Sequence, residues 1–380
     1  MNAAQHDVVL FGATGFTGAL TAEYLAANAG DAQVALAGRN RSKLEKLGLD
    51  LPLIEADVED PGSLREMASA ARVLITTVGP YIKYGEPLVA ACAETGTDYV
   101  DLTGEPEFVD LMYARYHERA VESGARIVHC CGFDSIPHDL GAYFTVTQLP
   151  ENVPIKVEGF VRAGGTFSGG TFESALTAFS RVRQTAKAGS ERKRLEPRPD
   201  GRRAHGVRPM PKRVSELGAW ALPMPTIDPQ IVVRSARALD RYGPDFSYGH
   251  YFATKSLPVA AGIPAGAAGL FAVAQVGPAR RWLLGRRKPG EGPSKEQIEK
   301  GWFKVRFHGE GGGSRVATEV SGGDPGYGDT AKMLSEAALC LAQDDLPESA
   351  GQVTTATAMG DALIDRLQAA GIRFEVLEKG

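Results

Sequence analysis

The chain has 380 residues, a length that suits two domains or one large domain. With 43% hydrophobic and 23% charged residues it can build a packed core, which argues against global disorder. A net charge of −4 is too close to neutral for a dedicated nucleic-acid-binding protein. Its four cysteines form no C-x-x-C pair and no basic, apolar leader opens the sequence, so we expect a cytoplasmic protein with reduced thiols.

Apolar runs of strand length alternate with amphipathic segments through the first third of the chain. The predicted strands are Asp7–Phe11, Gln33–Ala37, Leu51–Ala56, Arg72–Thr77, Asp98–Leu102 and Arg126–Cys130. Several are continuous runs of valine, isoleucine, leucine and alanine, which is typical of strands covered on both faces. The alternation predicts right-handed crossovers and an α/β fold built on a Rossmann-type, doubly wound parallel sheet.

The first predicted strand ends in a glycine-rich turn that opens a helix. Its sequence is Gly12-Ala13-Thr14-Gly15-Phe16-Thr17-Gly18. Glycines let the backbone turn tightly and approach a pyrophosphate, whose charge then lies at a helix N-terminus. The spacing is G-x-x-G-x-x-G rather than the commoner G-x-G-x-x-G, but the strand–turn–helix context favours a dinucleotide site over an ordinary tight turn. The residues expected to bind the cofactor here are Gly12, Thr14, Gly15, Phe16, Thr17 and Gly18.

The end of the second predicted strand indicates which dinucleotide binds. An NAD enzyme usually has an acid there for the ribose 2′-hydroxyl, whereas this chain has Gly38-Arg39-Asn40-Arg41-Ser42-Lys43. Arg39, with Arg41 or Lys43, could pair with a 2′-phosphate. The alternative is a solvated helix start, although cations there oppose the helix dipole. The pattern therefore favours NADP(H), with Arg39, Asn40, Arg41 and Lys43 at the adenosine end.

Two later strand ends reach the same edge of the predicted sheet. Asp57 and Val58 follow the third strand, where an acid can accept from the adenine amino group. The fourth strand is followed by Val78-Gly79-Pro80-Tyr81, at the carboxyl edge where open parallel sheets bind ligands. We expect Asp57, Val58, Val78, Gly79, Pro80 and Tyr81 to line the cofactor site, against the alternative of a plain loop.

These motifs, with others farther along, resemble the saccharopine dehydrogenase-like oxidoreductase family. The matching stretches are Gly12–Gly18, Ala37–Arg39, Thr77–Tyr81, Tyr99–Glu105, Gly132–Gly141, Ser168–Thr171, Asp324–Tyr327 and Glu336–Leu339. Among its members the chain is most similar to the bacterial trans-acting enoyl reductases. The resemblance spans most of the chain and implies reduction of polyketide-derived lipid precursors with NADPH.

The resemblance also implies a domain organisation. A Rossmann domain would span residues 1–135, residues 325–380 would pack back on it, and residues 136–324 would form a second α/β domain with a mixed sheet. The sequence agrees in part, because Ile155–Ala163 and Trp302–Phe307 have strand patterns. Amphipathic helices are predicted at Thr330–Gln343 and Gly360–Ala370.

Hydride transfer requires little from a protein beyond orienting the nicotinamide and supplying a proton donor. The candidates lie near the carboxyl edge of the sheet, and we single out Tyr81 and His138 as catalytic residues without deciding between them. Capping or loop hydrogen bonding is the alternative for each, and for Asp101, Glu105, Asp134 and Ser135 nearby. The seven histidines show no metal-binding spacing, so we expect no catalytic metal.

Two segments of the second domain suggest partners. Residues 181–213 carry twelve lysines and arginines against three acids and are rich in proline and glycine. This basic segment is predicted to be a mobile loop, either simply solvated or a landing site for an acyl carrier protein or an anionic membrane.

The second segment is apolar, since Ser256–Ala279 contains no charge. Its prolines and glycines favour a broken, buried segment or an interfacial hairpin over a spanning helix. The apolar segment as a whole covers residues 256–284 and runs into cations at 280–288, so it could contact a lipid surface, a substrate chain or a dimer partner.

Three functions are therefore compared. The first is an NADPH-dependent reductase acting on an apolar acyl or polyketide substrate, carried by CoA or an acyl carrier protein. The second is a saccharopine-type amino-acid dehydrogenase, which would need convergent cations for several carboxylates. The third is a non-enzymatic, nucleotide-binding scaffold on lipid membranes. The first uses the most features of the sequence, with peripheral contact to the inner face of the membrane and a homodimer as further expectations.

Overall fold

A computed structural model describes residues 4–164, 176–177, 180–278 and 292–380. The first sheet contains seven strands, all paired in parallel. They are β1 (His6–Phe11), β2 (Val34–Gly38), β3 (Leu53–Glu55), β4 (Ala71–Thr76), β5 (Asp98–Asp101), β6 (Arg126–Val128) and β14 (Gly351–Val353). Their order across the sheet is β14-β6-β5-β4-β1-β2-β3, so the strand order reverses beside β1. A ligand crevice is expected at that reversal.

Helices cover both faces of this sheet, as the continuous apolar strands predict. They are α1 (Phe16–Asn28), α2 (Arg41–Glu45), α3 (Pro61–Ser69), α4 (Tyr81–Tyr84), α5 (Glu86–Thr95) and α6 (Pro106–Ser123). Val8, Val9 and Leu10 of β1 are fully buried, which shows that both faces of the central strand are covered. The predicted Rossmann-type parallel sheet is thereby confirmed.

A second, mixed sheet has eight strands. They are β7 (Ile155–Gly164), β8 (Arg203–Gly206), β9 (Lys212–Val214), β10 (Ala219–Pro223), β11 (Asp245–Thr254), β12 (Trp302–Gly311), β13 (Ser314–Gly322) and β15 (Arg373–Lys379). Only β11 pairs in parallel, with β7 and β8, and the other pairs are antiparallel. One face packs against α7 (Ile136–Thr147) and α9 (Asp228–Ala238), where a large apolar core lies.

The last part of the chain divides between the two sheets. Helix α12 (Gly328–Gln343) packs against α1, and β14 extends the parallel sheet beside β6. Two short helices follow, α13 (Thr355–Ala358) and α14 (Gly360–Ala369), and then β15 pairs with β13 of the second sheet. Residues 325–380 therefore join both layers rather than contacting the parallel sheet alone.

The prediction of a basic loop at residues 181–213 was wrong. The segment forms α8 (Val182–Leu195), followed by β8 and β9. Two of its cations are held by acids of α6: Arg192 is only 3% exposed and its Nε lies 2.6 Å from Asp110 Oδ1. Arg181 makes a two-pronged contact of 2.7 Å to Glu107. Most of α8 is exposed, and the segment folds because these two ion pairs join it to residues far away in sequence.

The prolines and glycines of the apolar segment do not break it. Residues Leu257–Gln275 form one helix, α10, capped by Ser256. Proline is tolerated in a first helical turn, and Pro258 occupies that position. The helix is not buried: Leu257 is 58% and Phe271 is 44% exposed. The described helices include none that is long and apolar enough to cross a membrane. The cations at 280–288 and the Ser168–Thr171 motif lie outside the described residues.

Candidate functional site

The β1–α1 turn leaves room for a ligand at the point where the strand order reverses. Gly12 has φ = +89°, and a Cβ there would lie 2.7 Å from Val78 Cγ2. A Cβ on Gly18 would lie 2.1 Å from the carbonyl oxygen of Gly12. Both positions therefore demand glycine, one for its backbone angle and both for close packing. Thr14 and Gly15, at the tip of the turn, are exposed.

The loop after β4 is joined to this turn. The Thr77 hydroxyl donates a 3.1 Å hydrogen bond to the Gly12 carbonyl oxygen. The peptide between Gly79 and Pro80 is cis, and Pro80 precedes the short helix α4. Val78 and Gly12 are in contact, so two of the predicted cofactor-binding segments meet at one edge.

The predicted cations at the end of β2 lie on the surface. Asn40 caps α2 by accepting a 3.0 Å hydrogen bond from Lys43 N–H. Arg41 Nε lies 3.3 Å from Glu45, in an exposed i,i+4 pair. Within the described parts of the chain, Arg39 and Lys43 have no ion-pair partner, so their charges are available to an anion.

The other predicted cofactor residues border the same crevice with different roles. Asp57 is tied into the turn before α3, where its backbone N–H donates to the Ser63 hydroxyl. Val58, beside it, is half-buried and packs on the apolar core of the parallel sheet. Phe16 packs edge-on against Tyr327, with their ring centres 4.8 Å apart, and so connects the turn to the start of α12.

The residues present fit a dinucleotide that carries an extra phosphate. The tip of the β1–α1 turn presents backbone N–H groups at the start of a 13-residue helix, which is the arrangement that binds a pyrophosphate. The cations after β2 supply positive charge where NAD-specific sites hold an acid. The roles predicted from the sequence, the turn for the pyrophosphate and Arg39 with its neighbours for the 2′-phosphate, are compatible with this arrangement and stay predictions.

Tyr81 is a buried residue whose hydroxyl is held by the backbone. It donates to the Thr76 carbonyl oxygen at 3.0 Å and accepts from Leu102 N–H at 3.2 Å. Burial, with the nearby Asp101 carboxylate, raises the pKa of Tyr81 well above its ordinary value. Glu105 accepts from the N–H groups of Tyr81 and Ile82 and so holds the start of α4. Because the hydroxyl is held by two backbone groups, these contacts do not favour Tyr81 as the proton donor. Its catalytic role stays a prediction.

His138 belongs to a fully buried cluster of side chains that the sequence did not predict. It comes from the first turn of α7, Asp228 from the start of α9, and His250 from β11. The nearest histidine nitrogens each lie 3.4 Å from one oxygen of Asp228. Tyr248 continues the group, with its hydroxyl 3.0 Å from His250 Nδ1.

The electrostatics of this group make His138 a poor acid. Burial lowers the pKa of His138 to about 4, so its imidazole is neutral at pH 7. Burial acts to raise the pKa of Asp228, but His138 and His250 outweigh it and bring the pKa below its ordinary value. The Asp228 carboxylate also accepts from the Ser135 hydroxyl at 2.9 Å and from Thr226. The Ser135–Asp228 hydrogen bond ties the start of α7 to α9. Both ring nitrogens of His138 and Nε2 of His250 are buried without a hydrogen-bond partner among the described residues.

The same three side chains have metal-ligand chemistry, which the sequence spacing does not reveal. In the described parts of the chain, the ligand atoms of His138, Asp228 and His250 lie within 4.8 Å of one another. The Asp228 oxygens accept hydroxyl hydrogen bonds, whereas His138 Nδ1, His138 Nε2 and His250 Nε2 have no hydrogen-bond partner among the described residues. The expectation that no catalytic metal is present stays a prediction.

A second buried carboxylate organises the carboxyl edge of β5 and β6. Asp101 Oδ1 accepts from the N–H groups of Thr103 and Cys130, each at 3.0 Å. Its Oδ2 lies 2.6 Å from His129 Nδ1 and accepts from Tyr99 at 2.9 Å. These bonds fix the loops that carry Gly104 and Asp134 to the edge of the sheet.

Three comparisons with known proteins agree with this geometry. Residues 8–128 match the saccharopine dehydrogenase NADP-binding domain. A Mycobacterium tuberculosis protein, provisionally named a trans-acting enoyl reductase, is 39% identical over 98% of this chain and 97% of its own. The chain belongs to the trans-acting enoyl reductase family. A second relative, a trans-acting enoyl reductase of Mycobacterium ulcerans, is 36% identical over 98% of each chain.

A solved structure confirms the fold over the whole length. Saccharopine dehydrogenase (L-Glu forming) from Saccharomyces cerevisiae has a TM-score of 0.54 to this chain, at 13% identity, and covers 98% of it. The predicted resemblance to saccharopine dehydrogenase-like oxidoreductases, the two-layer α/β fold and an NADP-dependent oxidoreductase are therefore confirmed. The individual site residues stay predictions.

Proposed function

We propose that this member of the family is an NADPH-dependent enoyl reductase acting on a large, apolar α,β-unsaturated thioester. The observation that carries the proposal is the Gly12–Gly18 turn beside Arg39 and Lys43, which are exposed and have no ion-pair partner among the described residues. The chain also aligns over 98% of its length with trans-acting enoyl reductases. The turn accounts for the dinucleotide and the cations for its 2′-phosphate. The enoyl substrate is inferred from what the relatives are named for.

The cofactor-binding residues proposed from the sequence divide by position. The turn from Gly12 to Gly18, with Thr14, Gly15, Phe16 and Thr17, would hold the pyrophosphate. Arg39, Asn40, Arg41 and Lys43 would hold the adenosine phosphate, Asp57 and Val58 the adenine, and Val78–Tyr81 the nicotinamide half. Bound NADPH would supply the hydride for the β-carbon of the enoyl group. The protein would hold the nicotinamide C4 against the β-carbon of the enoyl group and would donate a proton.

The second domain supports an apolar substrate or a lipid surface as partner. Helix α10 exposes Leu257, Val259 and Phe271, and no charge interrupts it. Exposed apolar surface of this kind marks an interaction site. We propose that α10 meets the acyl chain or the membrane that supplies it, from the inner face, with a CoA or acyl carrier protein bearing the thioester. A homodimer stays a further proposal.

The second sheet does not support the saccharopine-type alternative. Three of its cations are already matched, since Lys304 and Arg306 both contact Glu319 and Lys212 contacts Glu158. Neutralised cations of this kind do not form a site for a substrate with several carboxylates. No observation on the described residues favours that reaction.

The test is turnover by purified full-length protein. NADPH fluorescence titration should give a dissociation constant at least tenfold below that of NADH. A trans-2-decenoyl thioester should then be reduced with consumption of one NADPH, and saccharopine should not be oxidised with NADP⁺. Failure to bind either dinucleotide would contradict the assignment of the turn, and turnover of saccharopine alone would replace the proposed reaction.

A further inference from the structure

Asp134 is a carboxylate at the carboxyl edge of the parallel sheet. It lies in the loop between β6 and α7, and it is half-buried while Ser135 and His138 beyond it are fully buried. Its Oδ2 comes within 3.1 Å of the point where a Cβ on Gly104 would lie. A side chain at that glycine would thus cover the carboxylate, and glycine leaves it open toward the loop that follows β5.

Among the described residues, the Asp134 carboxylate has no hydrogen-bond or ion-pair partner, unlike the buried acids of this edge. Asp101 and Asp139 are each held by several donors. Acids held in that way have structural roles. An open, partly exposed carboxylate at a ligand-binding edge is instead placed to meet a ligand.

The groups that face Asp134 favour its protonated form. Burial, followed by the negative charge of Asp228, raises the pKa of Asp134 to about 7. His138 beside this loop is neutral at pH 7, and the buried thiol of Cys130 has a pKa raised by burial and by Asp101. Neither group supplies a compensating positive charge at neutral pH. His250 packs edge-on against His138, with ring centres 5.0 Å apart. A carboxylic acid in these surroundings can hold its proton until a reaction requires it.

We propose that Asp134 is the general acid that protonates the α-carbon of the enoyl thioester. This inference rests on the proposed function, which supplies the hydride donor NADPH and the enoyl substrate. As hydride adds to the β-carbon, the electron pair of the carbon–carbon double bond moves to the α-carbon and is delocalised into the thioester carbonyl. That enolate takes the proton from the Asp134 carboxyl, leaving a carboxylate and the saturated thioester. Water then reprotonates Asp134 between turnovers.

The buried His138–Asp228–His250 group has a positioning role in this scheme. Ser135 follows Asp134 directly, and its hydroxyl bonds Asp228, so α9 and β11 fix the loop that carries the acid. The negative charge of Asp228 keeps the Asp134 proton in place at neutral pH. The group therefore acts through Asp134 and does not itself contact substrate.

The first experiment examines the ligand-free protein, so it needs neither cofactor nor substrate. Infrared difference spectra are recorded as pH rises from 5 to 9, following the carbonyl band of protonated carboxylic acids. Burial raises the pKa of Asp139 to about 6, so its band should disappear first and that of Asp134 with a midpoint near pH 7. Only the component near pH 7 should be missing from Asp134→Asn. Both components should be unchanged in the control Asp31→Asn, an exposed acid before β2 at the opposite edge. A component near pH 7 that persists in Asp134→Asn would overturn the proposal.

The second experiment measures the reaction. Asp134→Asn should bind NADPH within twofold of the wild type but lose roughly 100-fold or more in kcat on a trans-2-decenoyl thioester. Wild-type kcat should fall as pH rises through the neutral range, because the acid loses its proton, and Asp134→Glu should recover part of the rate. A kcat in Asp134→Asn equal to that of the wild type would overturn the proposal. If the wild type reduces no enoyl thioester, the proposed function fails instead, and the infrared titration still judges Asp134.

Discussion

Replacing Gly12 by alanine tests whether the β1–α1 turn binds the dinucleotide. At φ = +89° an L-residue is strained by about 1–2 kcal/mol. The new Cβ would also lie 2.7 Å from Val78 Cγ2 and 2.9 Å from Thr77 Oγ1, and overpacking of this kind costs roughly 1–3 kcal/mol. We expect the free energy of unfolding to drop by roughly 2–5 kcal/mol and the NADPH dissociation constant to rise at least tenfold.

Gly48 provides a matched control for the backbone strain alone. It too has positive φ, +68°, but nothing lies within 4 Å of a Cβ built there. Gly48→Ala should lose only about 1–2 kcal/mol of stability and should bind NADPH like the wild type. Urea unfolding and NADPH fluorescence titration, done on both variants, separate the two effects. Wild-type NADPH affinity in folded Gly12→Ala would refute the assignment of the turn.

Three further outcomes follow from other contacts. Arg39→Ala should weaken NADPH binding by about 10–100-fold, because a charge-assisted hydrogen bond to the 2′-phosphate is lost. NADH binding should be unchanged. Equal losses of affinity for both cofactors would contradict a 2′-phosphate role. Arg192→Ala should lower the free energy of unfolding by about 3–5 kcal/mol, since buried Asp110 loses its ion pair and keeps the hydrogen bond from Gln230. Exposed Arg194→Ala should change the free energy of unfolding by under about 0.5 kcal/mol. Similar urea midpoints for the two variants would contradict the buried pair. Leu257→Asp should reduce flotation with phosphatidylglycerol vesicles at least fivefold. The control Val121→Asp, at another exposed apolar site, should float like the wild type. If the wild type does not bind the vesicles at all, lipid is ruled out as the partner of α10.

The parallel sheet was predictable because its signals are local. The strand that ends at Phe11 is a continuous apolar run, and the glycine turn follows it at once. Strand ends differ from prediction by one or two residues, as at β2, which begins at Val34 and ends at Gly38. Where apolar periodicity and turn chemistry coincide, sequence alone determines the element.

The second layer was less predictable because its stability depends on distant partners. Arg192 looks like a solvated cation in sequence, and only the packing of α8 on α6 shows the Asp110 that neutralises it. The sequence predicts a broken segment at α10 because proline and glycine are frequent in it. Pro258 lies in the first turn, where proline is tolerated, but the helix also continues through Pro264, and no contact among the described residues explains that. Local composition does not reveal either arrangement.

The side chains around His138 were also only partly predictable from the sequence. The sequence singled out His138 from the motif after β6, but its partners Asp228 and His250 lie about a hundred residues farther along in separate elements. Their approach depends on the packing of α7 against α9 and the second sheet. The raised pKa of Asp134 arises from that approach, so no sequence spacing could have indicated it.

The most direct test of NADPH-dependent enoyl reduction is the transfer of label from cofactor to substrate. Purified protein is incubated with NADPH deuterated on the transferable C4 position and a trans-2-decenoyl thioester in ordinary water, and the product is analysed by mass spectrometry and NMR. The account predicts a saturated thioester with deuterium on the β-carbon and a solvent proton on the α-carbon. Tight NADPH binding without transfer of label to any enoyl thioester would contradict it.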